Sequence, residues 1–245
     1  MRTAKNEWLC SRLLRAFGLP VAQSELAEFG EVKTLIVERF DRKLHPSRKY
    51  WLRLPQEDFC QATGRPSGDK YETDGGPGLL EISRILSASN SRDADLATLL
   101  KAQLLFWMLG ATDGHAKNFS IHLLPRGHFR LTPVYDVISV WPVVGKKQNQ
   151  LHEKKLKLAI ALRGKNKHYR IADIRRDHFN TTARACGLGH AMNDIIDEVV
   201  EATPVAIEQV GNKLPKGFPA NVFSSITVGL DRASRSLGAA ARAGS

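Results

Sequence analysis

Apolar residues recur at helical spacing near the start of the chain, where Trp8, Leu9, Leu13, Leu14 and Phe17 share one face and Gly18 with Pro20 ends the run, so residues 6–17 read as a short helix. The next two apolar stretches, 21–29 and 32–40, lie either side of Gly30 and include β-branched Val32, Thr34, Ile36 and Val37, which predicts two antiparallel strands around a tight turn. A short strand over 50–54 precedes Pro55, then helices are predicted at 57–62 and 79–86 with a loop at 64–78 between them. The longest helical pattern, 94–109, leads directly into a polar loop. After it, 119–123 and 128–131 flank Pro125 and Gly127 as a β-hairpin. Helices are predicted over 154–162, 171–186, 191–203, 206–213 and 222–237, and the Ala- and Gly-rich residues 238–245 read as a fraying tail. The pattern is that of an α+β protein: a small part over 1–49 with a helix and two strands, then a mostly helical part over 50–237, with no internal repeat.

Composition narrows the class without naming a function. A chain of 245 residues can bury one large core or a small lobe on a larger one. A hydrophobic share of 42% and a mean hydropathy of -0.27 are those of a soluble globule, and no apolar run nears the ~18 residues of a membrane span. Met1 to Lys5 lead into an amphipathic stretch without the apolar centre of a secretory signal, and Cys10, Cys60 and Cys186 are widely spaced without a CxxC pair. A reducing cytoplasm is the expected compartment. The formal charge of +11 is concentrated between 143 and 185, where twelve Lys or Arg face only Glu153, Asp173 and Asp177. Such a region is either a solvated face or a phosphate-contacting surface.

The polar loop carries the candidate chemistry. Asp113, Asn118 five residues later and Asp136 eighteen after that reproduce the order that Mg-ATP phosphotransfer needs: an acid to accept the proton of the attacking hydroxyl, an amide for one metal ion, and a second acid at a strand end. Lys117 could neutralise charge on the transferred group, and His115 could hold the loop in shape. Asp113 is also an ordinary turn residue and Asn118 an ordinary strand-start residue, whereas Asp136, after Leu131, Thr132, Pro133, Val134 and Tyr135, sits at the end of an apolar strand where a carboxylate wants a cation. His115, His122 and His128 bracket the hairpin but lack a ligand spacing. Gly75, Gly76, Pro77 and Gly78 lack the ending of a phosphate loop and read as a turn.

Five blocks in order, VERFDR at 37–42, RLPQEDFCQATG at 53–64, KYETDGGPG at 70–78, ATDGHAKNFS at 111–120 and LTPVYDVIS at 131–139, resemble the HipA family of serine/threonine kinases, toxins of bacterial toxin-antitoxin pairs. The resemblance runs from about Asn6 to Leu237. It implies a protein-kinase-like fold with a mostly helical C-terminal lobe and a remnant of the small β-containing N-terminal lobe. It further implies ATP and Mg as cofactors, Asp113 as catalytic base, Asn118 and Asp136 as Mg ligands, and Glu38, Arg39 and Phe40 as a hinge that meets adenine through backbone groups. By the same likeness the expected partners are a HipB-like antitoxin, operator DNA through that complex, and a protein substrate such as glutamyl-tRNA synthetase.

In that family a β-rich segment with the phosphate-gripping lysine precedes the first helix seen here. The chain is therefore expected to be a truncated kinase of reduced activity, with Glu7 as a candidate former partner of that lysine, Lys33 as a conceivable stand-in for it, and exposed apolar surface left uncovered. The competing expectation is a catalytically silent remnant that binds an antitoxin or nucleic acid, and a small-molecule kinase of related fold stays open.

Overall fold

The first apolar stripe forms α1 (Arg2–Ala16), which buries Leu9, Leu13 and Leu14 completely in the common core. The computed structural model describes residues 2–189 and 191–242. Next comes an antiparallel hairpin of β1 (Ser24–Phe29) and β2 (Val32–Val37), in which Ser24 pairs with Val37 and Glu28 with Lys33. Its outer side is apolar and uncovered, with Phe29 63% and Val32 65% exposed. A smaller hairpin, β3 (Arg42–Leu44) with β4 (Trp51–Arg53), carries the exposed Trp51.

The stretch predicted as one helix at 57–62 divides into β5 (Gln56–Asp58) and α2 (Phe59–Ala62). Asp58 makes the change of direction: its carboxylate accepts the Gln61 N–H at 2.9 Å while the Gln61 side chain accepts the Asp58 N–H at 3.0 Å, so the strand ends in a capping box. After α3 (Leu79–Leu86), α4 (Arg92–Leu109) runs through the centre of the protein and is buried on nearly every side from Leu96 onward. The buried donors Gln103 and Trp107 on this helix find acceptors on its neighbours: Gln103 donates to the Ile160 carbonyl and Trp107 to that of Ile171, each at 3.0 Å. Helix α4 stops at Gly110, whose φ of 61° is left-handed.

The predicted hairpin forms as β6 (Ser120–Leu123) and β7 (Phe129–Leu131), with β5 added along the free side of β6. Residues 154–162 are not the expected helix but mostly β8 (Lys157–Arg163), paired with β9 (Lys167–Arg170). Leu156, Leu158, Ile160 and Leu162 alternate with Lys157, Ala159 and Ala161, a period of two, and the small alanines let both faces be buried. α5 (Arg176–Ala185) starts later than expected because 171–173 form a separate 3-10 turn.

Two helices expected at 191–203 and 206–213 are one, α6 (Ala191–Gly211), despite Pro204. The proline removes the N–H that would have reached the Val200 carbonyl, and the Ser234 hydroxyl donates to that carbonyl instead, at 3.4 Å. Ser234 lies on α7 (Ala220–Arg242), which continues through the residues expected to fray up to Arg242 because the alanines there favour helix. Residues 243–245 of the expected tail lie outside the described residues. Helices α6 and α7 pack on each other and on α1 and α4, and among the described residues no helix is long and apolar enough to cross a membrane.

One buried contact ties α1 to the segment beyond β7. The Asn6 side chain donates to the Ser139 carbonyl at 2.7 Å and accepts the Ser139 N–H at 2.9 Å. Asn6→Ala strands both backbone groups away from water, so it is expected to destabilise the fold by about 3 kcal/mol, read as a lower midpoint in urea at unchanged slope.

Candidate active site

The site begins where α4 ends. The Ala111 N–H returns to the Phe106 carbonyl at 2.8 Å, and Gly114 then lies flat on the Phe106 ring, where a Cβ would come within 2.4 Å of the ring carbon. This contact leaves Asp113 exposed at the tip of the loop while His115 turns inward. The His115 N–H reaches both the Asp113 carbonyl (2.9 Å) and the Asn118 Oδ1 (3.1 Å), which fixes the buried amide. Asn118 Nδ2 in turn donates to the Asp136 carboxylate at 3.0 Å. The structure thus brings Asn118 and Asp136 into direct contact across the open end of β6 and β7, with the His115 N–H shared between Asn118 and the Asp113 carbonyl.

Asp136 is held from several sides. Its φ of 56° is left-handed, a conformation that Asp tolerates better than most residues and that turns the carboxylate out of the strand direction. Just before it, Val134 bonds to both Pro20 and Ala22, at 2.8 and 2.9 Å, and Tyr135 donates to the Lys117 carbonyl at 2.7 Å. Glu7 from α1 lines the same small pocket as Asp136. Burial, and then the Asp136 charge, raise the Glu7 carboxyl above its usual range.

Sequence reasoning assigned no role to Tyr71, yet its hydroxyl donates to one Asp113 carboxylate oxygen at 2.5 Å. That bond, and then burial, push the phenol up to about 12, so it stays a donor across the physiological range. The Tyr71 ring also meets His115 edge-on, with centroids 5.3 Å apart, and the His115 Nε2 lies 4.0 Å from the Asp113 carboxylate. The signal that could have found Tyr71 was its place in the KYETDGGPG block.

Burial, followed by the nearby Lys70 charge, holds His115 below its ordinary 6.5. A depressed histidine binds fewer protons folded than unfolded, so its effect on stability is present above 6.5 and lost as pH falls below it. Between neutral pH and about pH 5, the unmodified protein is expected to lose more stability than His115→Gln, measured by urea unfolding at each pH.

The remaining sequence candidates are placed less directly. The Lys117 ammonium is paired with Asp58 at 3.0 Å, so it faces β5 and not open solvent over Asp113. Glu38 and Arg39 are exposed, and the Glu38 N–H already donates to the Gln23 carbonyl at 2.8 Å. Arg39 forks onto the buried Asp41, with both contacts at 2.7 Å, and with Arg42 it holds that carboxyl down to about 2. Phe40 packs 5.5 Å from Tyr135 and from His122, which links the expected hinge to the segment before Asp136. That segment is not the expected apolar strand, because β7 stops at Leu131, Pro133 has no N–H to continue the ladder and Val134 forms only an isolated bridge, with Val21. Lys33 is engaged with Glu28 at 2.8 Å. Four residues separate it from Val37, which lines the Asp136 pocket, a distance of about 13 Å along a strand.

The donor set suits a hard divalent cation. Asn118 Oδ1 has a second lone pair beyond the one used by His115, and Asp136 uses one carboxylate oxygen on Asn118 and presents the other. Among the described residues no group of three His, Cys, Asp or Glu side chains could hold a metal, and the acid and amide of Asp136 and Asn118 offer oxygen ligands only.

Residues 1–207 match the family model described as HipA-like C-terminal domain. A Sinorhizobium fredii protein named as a kinase, Y4mE, is 30% identical over 93% of this chain and 52% of its own length. The serine/threonine-protein kinase toxin HipA of Shewanella oneidensis is 36% identical over 55% of this chain and 34% of its own length. The chain spans about half the length, or less, of these relatives. Among solved structures, the Shewanella oneidensis complex of HipA, HipB and operator DNA aligns with TM-score 0.81 at 24% identity over 97% of this chain and 56% of that one. The Helicobacter pylori proinflammatory kinase CtkA aligns with TM-score 0.63 at 9% identity over 97% of this chain and 84% of that one. The fold is α+β and kinase-like.

Proposed function

Because the chain belongs to the HipA-like C-terminal domain family, we propose that it is the catalytic portion of an ATP- and Mg-dependent kinase that phosphorylates a serine or threonine of a protein. The observation that carries the reading is the contact of Asn118 with Asp136 beside the exposed Asp113. In this reading Asp113 accepts the proton of the acceptor hydroxyl on its free oxygen while Tyr71 fixes the other. Asn118 and Asp136 hold the metal, and His115 keeps the amide oriented. Bound nucleotide supplies the phosphoryl group. The segment 38–40 takes the adenine end, and the Phe40 N–H, which donates to no group among the described residues, is its available donor. The relatives named above extend the proposal to a toxin with a HipB-like antitoxin partner, and the family resemblance, rather than those names, adds a cytoplasmic setting and a glutamyl-tRNA synthetase type of acceptor.

A second reading, a binding remnant, is favoured by the charge of 143–185. There Arg176 is buried on Asp197 and Lys167 pairs with Glu72, but the other Lys and Arg have no acidic partner among the described residues. An operator-DNA complex of a relative gives such a surface a partner of the right chemistry. Calorimetric titration with ATP separates the two readings: the kinase reading expects binding that requires Mg and is abolished by chelation, and no binding in either condition leaves the remnant.

A further inference from the structure

The segment that holds Asp113 through Tyr71 also forms one wall of a second cleft, of about 320 Å³, closed by the start of α3 and by β8 and β9. Four cations line it: Arg65, Arg84, Arg163 and Lys167. Two acids partly offset them, since Lys167 pairs with Glu72 and Arg65 with Glu81, each at 2.8 Å. Both oxygens of Glu72 are engaged, because the second accepts the Ala161 N–H at 2.7 Å. Arg84 and Arg163 lie exposed and half-buried, and their guanidinium groups meet no carboxylate among the described residues. The wall between them stays bare backbone, for a Cβ on Gly76 would lie 2.5 Å from the Asp69 carbonyl and one on Gly78 2.6 Å from Glu72.

Resting on the kinase reading, we propose that this cleft is an acceptor subsite that binds an acidic side chain of the protein substrate and so presents its hydroxyl to Asp113. A free guanidinium grips a carboxylate through two parallel N–H groups, which a concave site with two unpaired arginines can offer. A nucleic acid is the poorer match, because its phosphates would run past Glu72 and Glu81, whereas backbone tracking calls for an unbroken basic surface. Glu72, which lines the cleft, follows Tyr71 in the chain, and the Tyr71 hydroxyl bonds to Asp113, so one segment links the cleft to the proton acceptor.

The test uses fluorescence anisotropy with a labelled serine peptide flanked by glutamates and the same peptide with glutamines, without nucleotide. The glutamate peptide is expected to bind about tenfold more tightly, and the Arg84→Gln/Arg163→Gln double variant to erase that preference. Both side chains lie outside the core, and far-UV circular dichroism checks that the variant is folded. Equal affinity for the two peptides overturns the proposal, as does a variant that keeps the preference or loses affinity for a duplex DNA oligonucleotide instead. ATP titration in parallel keeps the two ideas apart: peptide preference without ATP binding sinks the kinase reading alone, and ATP binding without peptide preference sinks the subsite alone.

Discussion

Asp113→Asn is expected to lower phosphotransfer from labelled ATP by about 10²–10⁴-fold while leaving Mg-dependent ATP binding unchanged, the effect of removing a general base that touches only the acceptor. The substitution is a narrow one. Asparagine keeps the shape and an oxygen that can still accept the Tyr71 hydroxyl, so the loop geometry that now rests on that 2.5 Å bond survives. What it removes is the capacity to take up a proton. The side chain is exposed, so no buried charge is left behind and stability should not move. Loss of ATP affinity in this variant would mean that Asp113 belongs to the nucleotide site, and undiminished transfer would remove it from the chemistry. Tyr71→Phe gives the complementary reading: it leaves the carboxylate in place but unanchored, and a smaller loss than that of Asp113→Asn marks Tyr71 as a positioning residue.

Much of this architecture was legible in the residues, and where it was not the reason is physical. Helix α4 announces itself by a long apolar run of helix-favouring Leu, Ala, Gln and Met with no Gly or Pro before Gly110, and the hairpin of β6 and β7 by Pro125 and Gly127. Strand β8 was misread because alanine at every second place mutes the alternation that would have marked it, and only its neighbours show both faces to be buried. Pro204 argued for a break that the Ser234 hydroxyl makes unnecessary, a contact from thirty residues away that no local rule contains. At the site, sequence order could bring Asp113, Asn118 and Asp136 into one neighbourhood because a hairpin joins their segments. It could not supply the Tyr71 and Asp58 contacts, which cross between elements: Asp58 reaches Lys117 only because β5 pairs with β6, and Tyr71 reaches Asp113 from a loop 42 residues upstream.

Those contacts also set the terms on which Asp136 can be tested. Asp136→Asn is expected to weaken Mg-dependent ATP binding by more than ~100-fold, since even residues that only support a metal ligand cost 10–100-fold when removed and this one offers the charge itself. Asn118 alone is neutral and cannot hold a hard divalent ion against water. Asparagine is the right replacement because, like aspartate, it tolerates the left-handed φ of 56°, whereas alanine there adds a backbone cost of about 1–2 kcal/mol that would blur binding with stability. The substitution should also release Glu7, whose carboxyl is raised in part by the Asp136 charge, so its titration should move back toward its ordinary 4.5. A carbon-detected NMR titration of the Glu7 carboxyl reads that shift without nucleotide or metal. Unchanged Glu7 titration would show that the two acids do not share a field, and unchanged ATP affinity would show that no metal bridges Asp136 to the phosphates.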